Sequence, residues 1–292
     1  MKNNFLWILC FFLFLFSCKK SADAPTPQKG EITIVADDAF KNVTEALSER
    51  YMAFYPETKI NVLYKKEDSA FIDLLQNKTQ VIVMSRDLTD KELQLYEGKV
   101  DLKFQPAKFA ADAVVFVVPN EDPRESISVQ EVKDFLTKGK DKTLIFDGNN
   151  ASNINFVKQK FGLHDASQNL NFGVIRGNDN IIKEVGKYKG KIGVISLNTI
   201  SRVHSKEINE LKSHIKILPV IAEDGKIYRP ELEYIKNMQY PFTRILYFLT
   251  NEGFFGVSNG FIRFSCTQLG QIVVSKQGLQ PYNNYKREVQ MR

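Results

Sequence analysis

Five short polar clusters follow apolar runs in this chain: Asp37-Asp38, Asp68-Ser69, Ser85-Arg86, Asp147 to Ser152, and Gly177 to Asp179. They bring carboxylates, hydroxyls, amides and one guanidinium to places where strand gives way to helix. Helix starts carry free N–H groups and a dipole that favours negative charge. This is chemistry for holding a ligand. It is poorly equipped for turnover: His164, His204 and His214 lie outside the first four clusters, and no HExxH, paired-cysteine or Gly-x-Ser-x-Gly pattern occurs. A non-enzymatic role without cofactor or metal is therefore expected. The formal charge of +6, or +5 once Lys2 is removed, suits anionic ligands in general. No basic run interleaved with aromatics marks a nucleic-acid surface.

The elements that must position these clusters repeat one local grammar. Ile32 to Ala36 reads as a strand, and Phe40, Val43, Ala46, Leu47, Tyr51 and Phe54 then recur at helical spacing until Pro56. Lys59 to Tyr64 and Val81 to Met84 read as further strands. Ser69 opens a helix, and Thr89 to Glu92 forms a capping box that starts another. Ala113 to Val118 is a β-branched and aromatic run of the kind buried on both faces. Beyond it come a strand at Thr143 to Phe146, a helix at Ser152 to Phe161, a strand at Phe172 to Ile175, a turn at Gly177 to Asp179, and a strand at Lys191 to Ser196. Alternation of strand, polar loop and helix predicts an α/β fold with mostly parallel sheets. Ligands bind where the loops after such strands gather. Three of the five clusters precede the Ala113 strand and two follow it, which predicts two lobes and a cleft. Phe254, Phe255, Phe261 and Phe264 read as one core face.

Several stretches together resemble the phosphate-binding proteins of bacterial ABC transporters. They are ITIVADDAF at 32–40, SAFIDLL at 69–75, VIVMSRDLTDKE at 81–92, ADAVVFVVPNEDP at 111–123 and FDGNNASNINF at 146–156. KGKIGVISLN at 189–198, YPFTRILYFL at 240–249 and GQIVVSKQGLQP at 270–281 complete the likeness, which covers nearly all of 30–292. The resemblance implies a two-lobed periplasmic-binding-protein fold of type II, with mixed, mostly parallel sheets flanked by helices. One lobe would hold 30–112 with 200–292 and the other 113–199, with crossing strands at Ala113–Val118 and Ile192–Ser196. It also implies capture of inorganic phosphate for a membrane permease driven by an ATPase. Carried over position by position, ligand contacts fall at Asp38, Ala39 and Phe40, at Ser69 and Ala70, at Ser85 or Arg86, and at Ala151, Ser152 and Asn153.

The chain departs from the family pattern at two charges. Asp147 stands where the pattern usually has an arginine, and Arg86 where many members have an aspartate. Arg86 and Asp147 are therefore expected to face each other across the cleft, with Arg86 on phosphate oxygens and Asp147 orienting it or accepting the ligand's proton. Asp37, Asp38, Asp147 and Asp179 all stay open as that acceptor. Asp37 or Asp38 also fits an N-cap, Arg86 a surface partner of Asp87 or Asp90, and Asp147 to Asn150 a plain turn. Another oxyanion (sulfate, molybdate or tungstate), or a surface lipoprotein outside transport, are the alternative functions.

The N-terminus sets the compartment. Lys2, the apolar run Phe5 to Phe16 and Ser17-Cys18 read as a lipoprotein signal over residues 1–17. The run is too short for the roughly 20 residues that span a bilayer. Cys18 becomes the lipidated first residue, and residues 18–29 a polar tether. Cys266 is then the one cysteine of the folded part, a buried small hydrophobe and no partner for a disulfide. The expected protein is a monomer, held by lipid to a bacterial membrane in the periplasm or at the cell surface.

Overall fold

Ile34 and Val35 are neighbours in the first strand, point to opposite faces, and are both buried. A strand apolar on both faces needs cover on both. The computed structural model shows that cover; it describes residues 25–163, 169–202 and 204–283, so the signal, Cys18, His164 and Tyr285 to Arg292 lie outside the described residues.

The chain begins with β1 (Lys29–Ala36), a 3-10 turn at Asp38–Phe40, α1 (Lys41–Phe54), β2 (Glu57–Tyr64), α2 (Glu67–Leu75), β3 (Val81–Met84), α3 (Asp90–Val100) and the long β4 (Ala107–Pro119). Then come β5 (Ile127–Ser128), α4 (Val129–Thr137), β6 (Leu144–Phe146), α5 (Ser152–Lys160), β7 (Gly173–Val174), α6 (Asn178–Glu184), β8 (Ile192–Ser196), α7 (Leu197–Ile200), α8 (Lys206–Ser213), β9 (Ile215–Leu218), β10 (Val220–Ile221), β11 (Ile227–Tyr228) and α9 (Leu232–Lys236). The return is β12 (Thr243–Thr250), α10 (Val257–Cys266), α11 (Gln268–Lys276) and β13 (Gln280–Pro281). Among the described residues no helix is long and apolar enough to cross a membrane.

β1 lies parallel to β2 and β3, and β12 runs antiparallel between β3 and β4. Ile32, Ile34 and Val83 pack under α1, α10 and α11, while Val35, Ile82 and Met84 pack under α2 and α3. β4 then continues from this sheet into a second one. Its Val114–Val117 stretch pairs with β8, and β9 flanks its other edge at Phe116–Pro119. β6 and β7 extend the second sheet in parallel. Ten residues of β4, Phe109 to Val118, are buried without a break, because both sheets keep both faces covered.

The arrangement is the two-lobed, type II binding-protein architecture expected from the sequence, with three local differences. First, Ile208, Leu211, Leu218, Val220, Ile235 and Tyr240 join the core around Val114, so 206–242 packs with the second lobe rather than the first. β8 stays in the second sheet, and the return crossing is made near Phe242, whose carbonyl accepts the Val114 amide. Second, α2 starts at Glu67, ahead of Ser69, and Asn178 opens α6 where a turn was expected. Third, Phe254 and Phe255 precede α10 and stand exposed, whereas Phe261 and Phe264 are buried. The Thr89 capping box forms as the residue pattern requires. Burial pushes the Cys266 thiol up to about 11, which keeps it an inert apolar group.

Candidate functional site

β1 ends at Ala36, and the next residue, Asp37, has extended backbone that turns its side chain back over the helix start. One carboxylate oxygen accepts the Ala39 amide at 3.1 Å. The other accepts the Ser152 amide at 2.9 Å, across the cleft, from the first turn of α5. Amides from both lobes thus converge on a single carboxylate. Burial pushes the Asp37 carboxyl well above its ordinary range, and the nearby Asp147 charge pushes it further.

Lys66 is the cation of this place. It ends the loop after β2, and its ammonium lies 2.5 Å from Asp38, 2.9 Å from Asp147 and 4.0 Å from Asp37. Carboxylate oxygens of the three aspartates lie within 4.8 Å of one another. Burial pulls the ammonium toward neutrality, but the three carboxylates outweigh that and hold it charged above its usual range. Asn178 fixes Asp147 from the other side at 2.9 Å. Burial, partly offset by Lys66, pushes the Asp147 carboxyl up as well. The contacts Lys66–Asp147 and Asp37–Ser152 draw the lobes together.

Arg86 stands at the end of β3, but its guanidinium turns into the first lobe. It meets Glu92 at 2.7 Å, Asp68 at 3.2 Å and Glu67 at 3.4 Å, and is almost fully buried. Those carboxylates hold it in the charged form despite burial. The expected Arg86–Asp147 pairing is therefore corrected: Lys66 takes Asp147, and three nearer acids saturate Arg86. Glu67 is itself buried and accepts both the amide and the hydroxyl of Ser85, at 2.8 and 2.7 Å. Arg86→Ala should lower stability by about 3 kcal/mol, since it strands buried carboxylates. Arg86→Lys should recover little of it, because an ammonium cannot fork the two Glu92 oxygens. Urea midpoints of the two variants check this.

A further cation lies deeper. Arg244 on β12 is fully buried and meets the buried Asp112 of β4 at 2.8 Å. Its guanidinium also donates to Asn153 Oδ1 at 2.9 Å, approaches Ser85 Oγ at 3.5 Å and lies 4.7 Å over the Phe40 ring. Asp112 in turn accepts from the Ser196 hydroxyl and the Asn198 amide. One ion pair therefore gathers β12, β4, the end of β8 and the start of α5 at the base of the cleft.

A family model described as the PBP superfamily domain matches residues 21–268. The chain belongs to the PBP superfamily. The phosphate-binding protein PstS of Pseudomonas aeruginosa is 22% identical over 270 residues, covering 86% of this chain and 83% of that one. A Clostridium perfringens protein crystallised with bound phosphate superposes with a TM-score of 0.69 at 18% identity, over 87% of this chain and all of that one. An ABC-type phosphate transport receptor from Vibrio cholerae superposes at 0.65 with 16% identity, over 86% of this chain and all of its own. At these identities the solved structures speak to the fold.

Within this PBP superfamily cleft the structure gathers most of the expected residues. Asp38 is half-buried on Lys66 and is not the cap, which is Asp37. Ala39, Phe40, Ala151, Ser152 and Asn153 are buried where the lobes meet. Ser85 is buried on Glu67. Ser69 and Ala70 sit in the first turns of α2, with the Ala70 amide spent on the Lys66 carbonyl. Asp179 is exposed in the first turn of α6, within reach of the Asp38 charge. Among the described residues, the buried side-chain atoms without a hydrogen-bond partner include Asp147 Oδ1, Ser152 Oγ and, at the base of the cleft, Asn198 Oδ1. A cavity of about 680 Å³, lined by Asp38, Lys65, Lys66, Asp147 and Arg176, opens beside Asp147. Lys66, Glu67, Asp112, Asn178 and Arg244 were not among the expected site residues. Asp112, in the run Phe109 to Val118, and Arg244, in β12, each stand as a lone charge among apolar residues, a signal that they need each other.

Proposed function

We propose that this chain is the extracytoplasmic, lipid-anchored binding component of an ABC importer, and that it takes inorganic phosphate between its lobes. Delivery is then to a permease worked by a cytoplasmic ATPase. The names of its relatives support the class of ligand. One observation on this chain carries the choice of phosphate: a buried donor and a buried acceptor, Ser152 Oγ and Asp147 Oδ1, lack partners in the same loop-to-helix segment. Hydrogen phosphate answers both, since an unprotonated oxygen accepts from Ser152 and its P–OH donates to Asp147. Sulfate has no proton at neutral pH, so its oxygens face a carboxylate that can only accept.

Titration calorimetry with phosphate and sulfate tests the reading. Phosphate is expected to bind and sulfate not. Asp147→Asn should weaken phosphate by about 10- to 100-fold, the worth of one buried hydrogen bond to a charged group, and narrow the gap to sulfate. Silence toward phosphate, or tighter binding of sulfate, molybdate or tungstate, would remove phosphate as the ligand.

A further inference from the structure

β1 ends at the cleft, so its start at Lys29 lies at the opposite end of the first lobe. α1 runs back from the cleft to that same end and finishes at Phe54. β12 is antiparallel to β3, with Thr250 beside Val81, so it too finishes there and delivers Phe254 and Phe255. These aromatics are each 56% exposed, and Phe54, Leu269 and Ile272 beside them are exposed as well. Monomeric proteins leave such contiguous apolar surface bare mainly where something covers it. Two grooves join Phe255, Leu269 and Ile272, while Phe254 lies beside Phe255 on a neighbouring groove and Phe54 packs on Phe264. The first, of about 720 Å³, runs past Phe255, Phe264 and Leu269, and the second continues from Leu269 to Ile272. Cations outnumber acids along it: the Arg50 guanidinium lies 4.7 Å over Phe54, Arg263 lies 6.0 Å over Phe255, and Lys276 borders the second groove, where Glu49 is the one acid among the lining residues.

The chain's own N-terminal segment leaves from this surface. The Tyr51 hydroxyl donates to the Pro27 carbonyl. A side-chain carbon at Gly260 would come within 2.7 Å of Pro27, so the glycine makes room for the segment. Cys18 is seven residues before Pro25, a distance of at most about 25 Å when extended. We infer that this end of the first lobe, with Phe54, Phe254, Phe255 and Leu269 facing outward and Arg50 and Arg263 around them, rests on an anionic lipid bilayer.

Aromatic rings and snorkelling arginines suit the interface between acyl chains and headgroups. Anionic headgroups answer the cations. A permease is the weaker fit, because a partner that takes the ligand must reach the cleft mouth at the far end. The consequence is orientation: resting this way, the cleft faces away from the membrane and toward the solution it samples.

The inference rests on anchoring at Cys18, and the test separates the two. The full chain is placed in phosphatidylcholine vesicles with and without phosphatidylglycerol, and amide hydrogen exchange is read over 254–276. The anchor holds the chain in both, so only the resting surface changes. Exchange around Phe254, Phe255 and the start of α10 is expected to slow several-fold with phosphatidylglycerol, and to be unchanged over 147–153. The exposed-site variants Phe254→Ser with Phe255→Ser, and Arg263→Glu, should lose the slowing. Equal exchange in both vesicles, slowing at the cleft instead, or slowing only with permease-containing membranes would overturn the inference. The mass of the N-terminal peptide reports lipid on Cys18. A chain without lipid that still floats with anionic vesicles keeps the surface and removes the anchor; a lipidated chain with an unprotected surface does the reverse.

Discussion

Arg244→Met is expected to be the most destabilising single change in the cleft. Neither Arg244 nor Asp112 has measurable side-chain exposure, so removing the guanidinium leaves the Asp112 carboxylate with only the Ser196 hydroxyl and the Asn198 amide. Stranding one member of a buried pair costs about 3–5 kcal/mol, more than the intact pair adds to stability over an apolar replacement. For a chain of this size that corresponds to a melting temperature lower by on the order of 10 °C. The double variant Asp112→Leu/Arg244→Met should recover part of the loss, because it removes the stranded charge and leaves only smaller lesions at Ser196, Asn198 and Asn153. Thermal and urea unfolding of the wild type and the two variants decide it. An Arg244→Met protein as stable as the wild type would show that Asp112 finds another cation or protonates at little cost.

The same pair explains what could be read in the residues and what could not. β3 follows from four consecutive apolar residues with nowhere polar to face, and α3 from a capping box whose partners are three positions apart. Both depend on neighbours in sequence. The Arg86–Asp147 expectation depended on which of several charges is nearest in space, and there it failed. Glu67, Asp68 and Glu92 reach Arg86 from its own lobe, while Lys66, two residues before the Asp68-Ser69 cluster, reaches Asp147. The lone charges Asp112 and Arg244 were visible in apolar runs, yet 131 residues lie between them, and only the antiparallel register of β12 on β4 makes them partners. A second capping box, Ser128–Glu131, starts α4 by the same local rule, though it was not among the expected helix starts. The boundary between lobes was hidden for a different reason. Residues 206–242 are not apolar enough as a block to announce which core they join, and it is the edge of β4 beyond Phe116 that recruits β9.

Lys66→Met should open the cleft's charge balance in a pH-dependent way. At neutral pH it leaves Asp37, Asp38 and Asp147 together without an ammonium. Each lost pair is worth about 4 kcal/mol at 4 Å and an effective dielectric of 20. Lys66 is a quarter exposed, and screening reduces that sum. A loss of about 3 kcal/mol is expected near neutral pH. The sign of its pH dependence follows from Asp37 and Asp147, whose carboxyls burial already holds above the ordinary value of 3.8. A carboxyl raised in the fold binds its proton more tightly there than in the unfolded chain. Its ionisation therefore weakens the fold as pH rises from 3.8 through the raised value, and acidification through that window restores stability. Without the ammonium the raised values rise further, so the window widens toward neutrality. The deficit of Lys66→Met relative to the wild type should then shrink between neutral pH and an acidic pH inside that window, where the aspartates take protons in place of the lost cation. Urea unfolding of both proteins at the two pH values measures this. An equal deficit at both would mean that Lys66 acts through packing of its stem, and that the three aspartates do not share its charge.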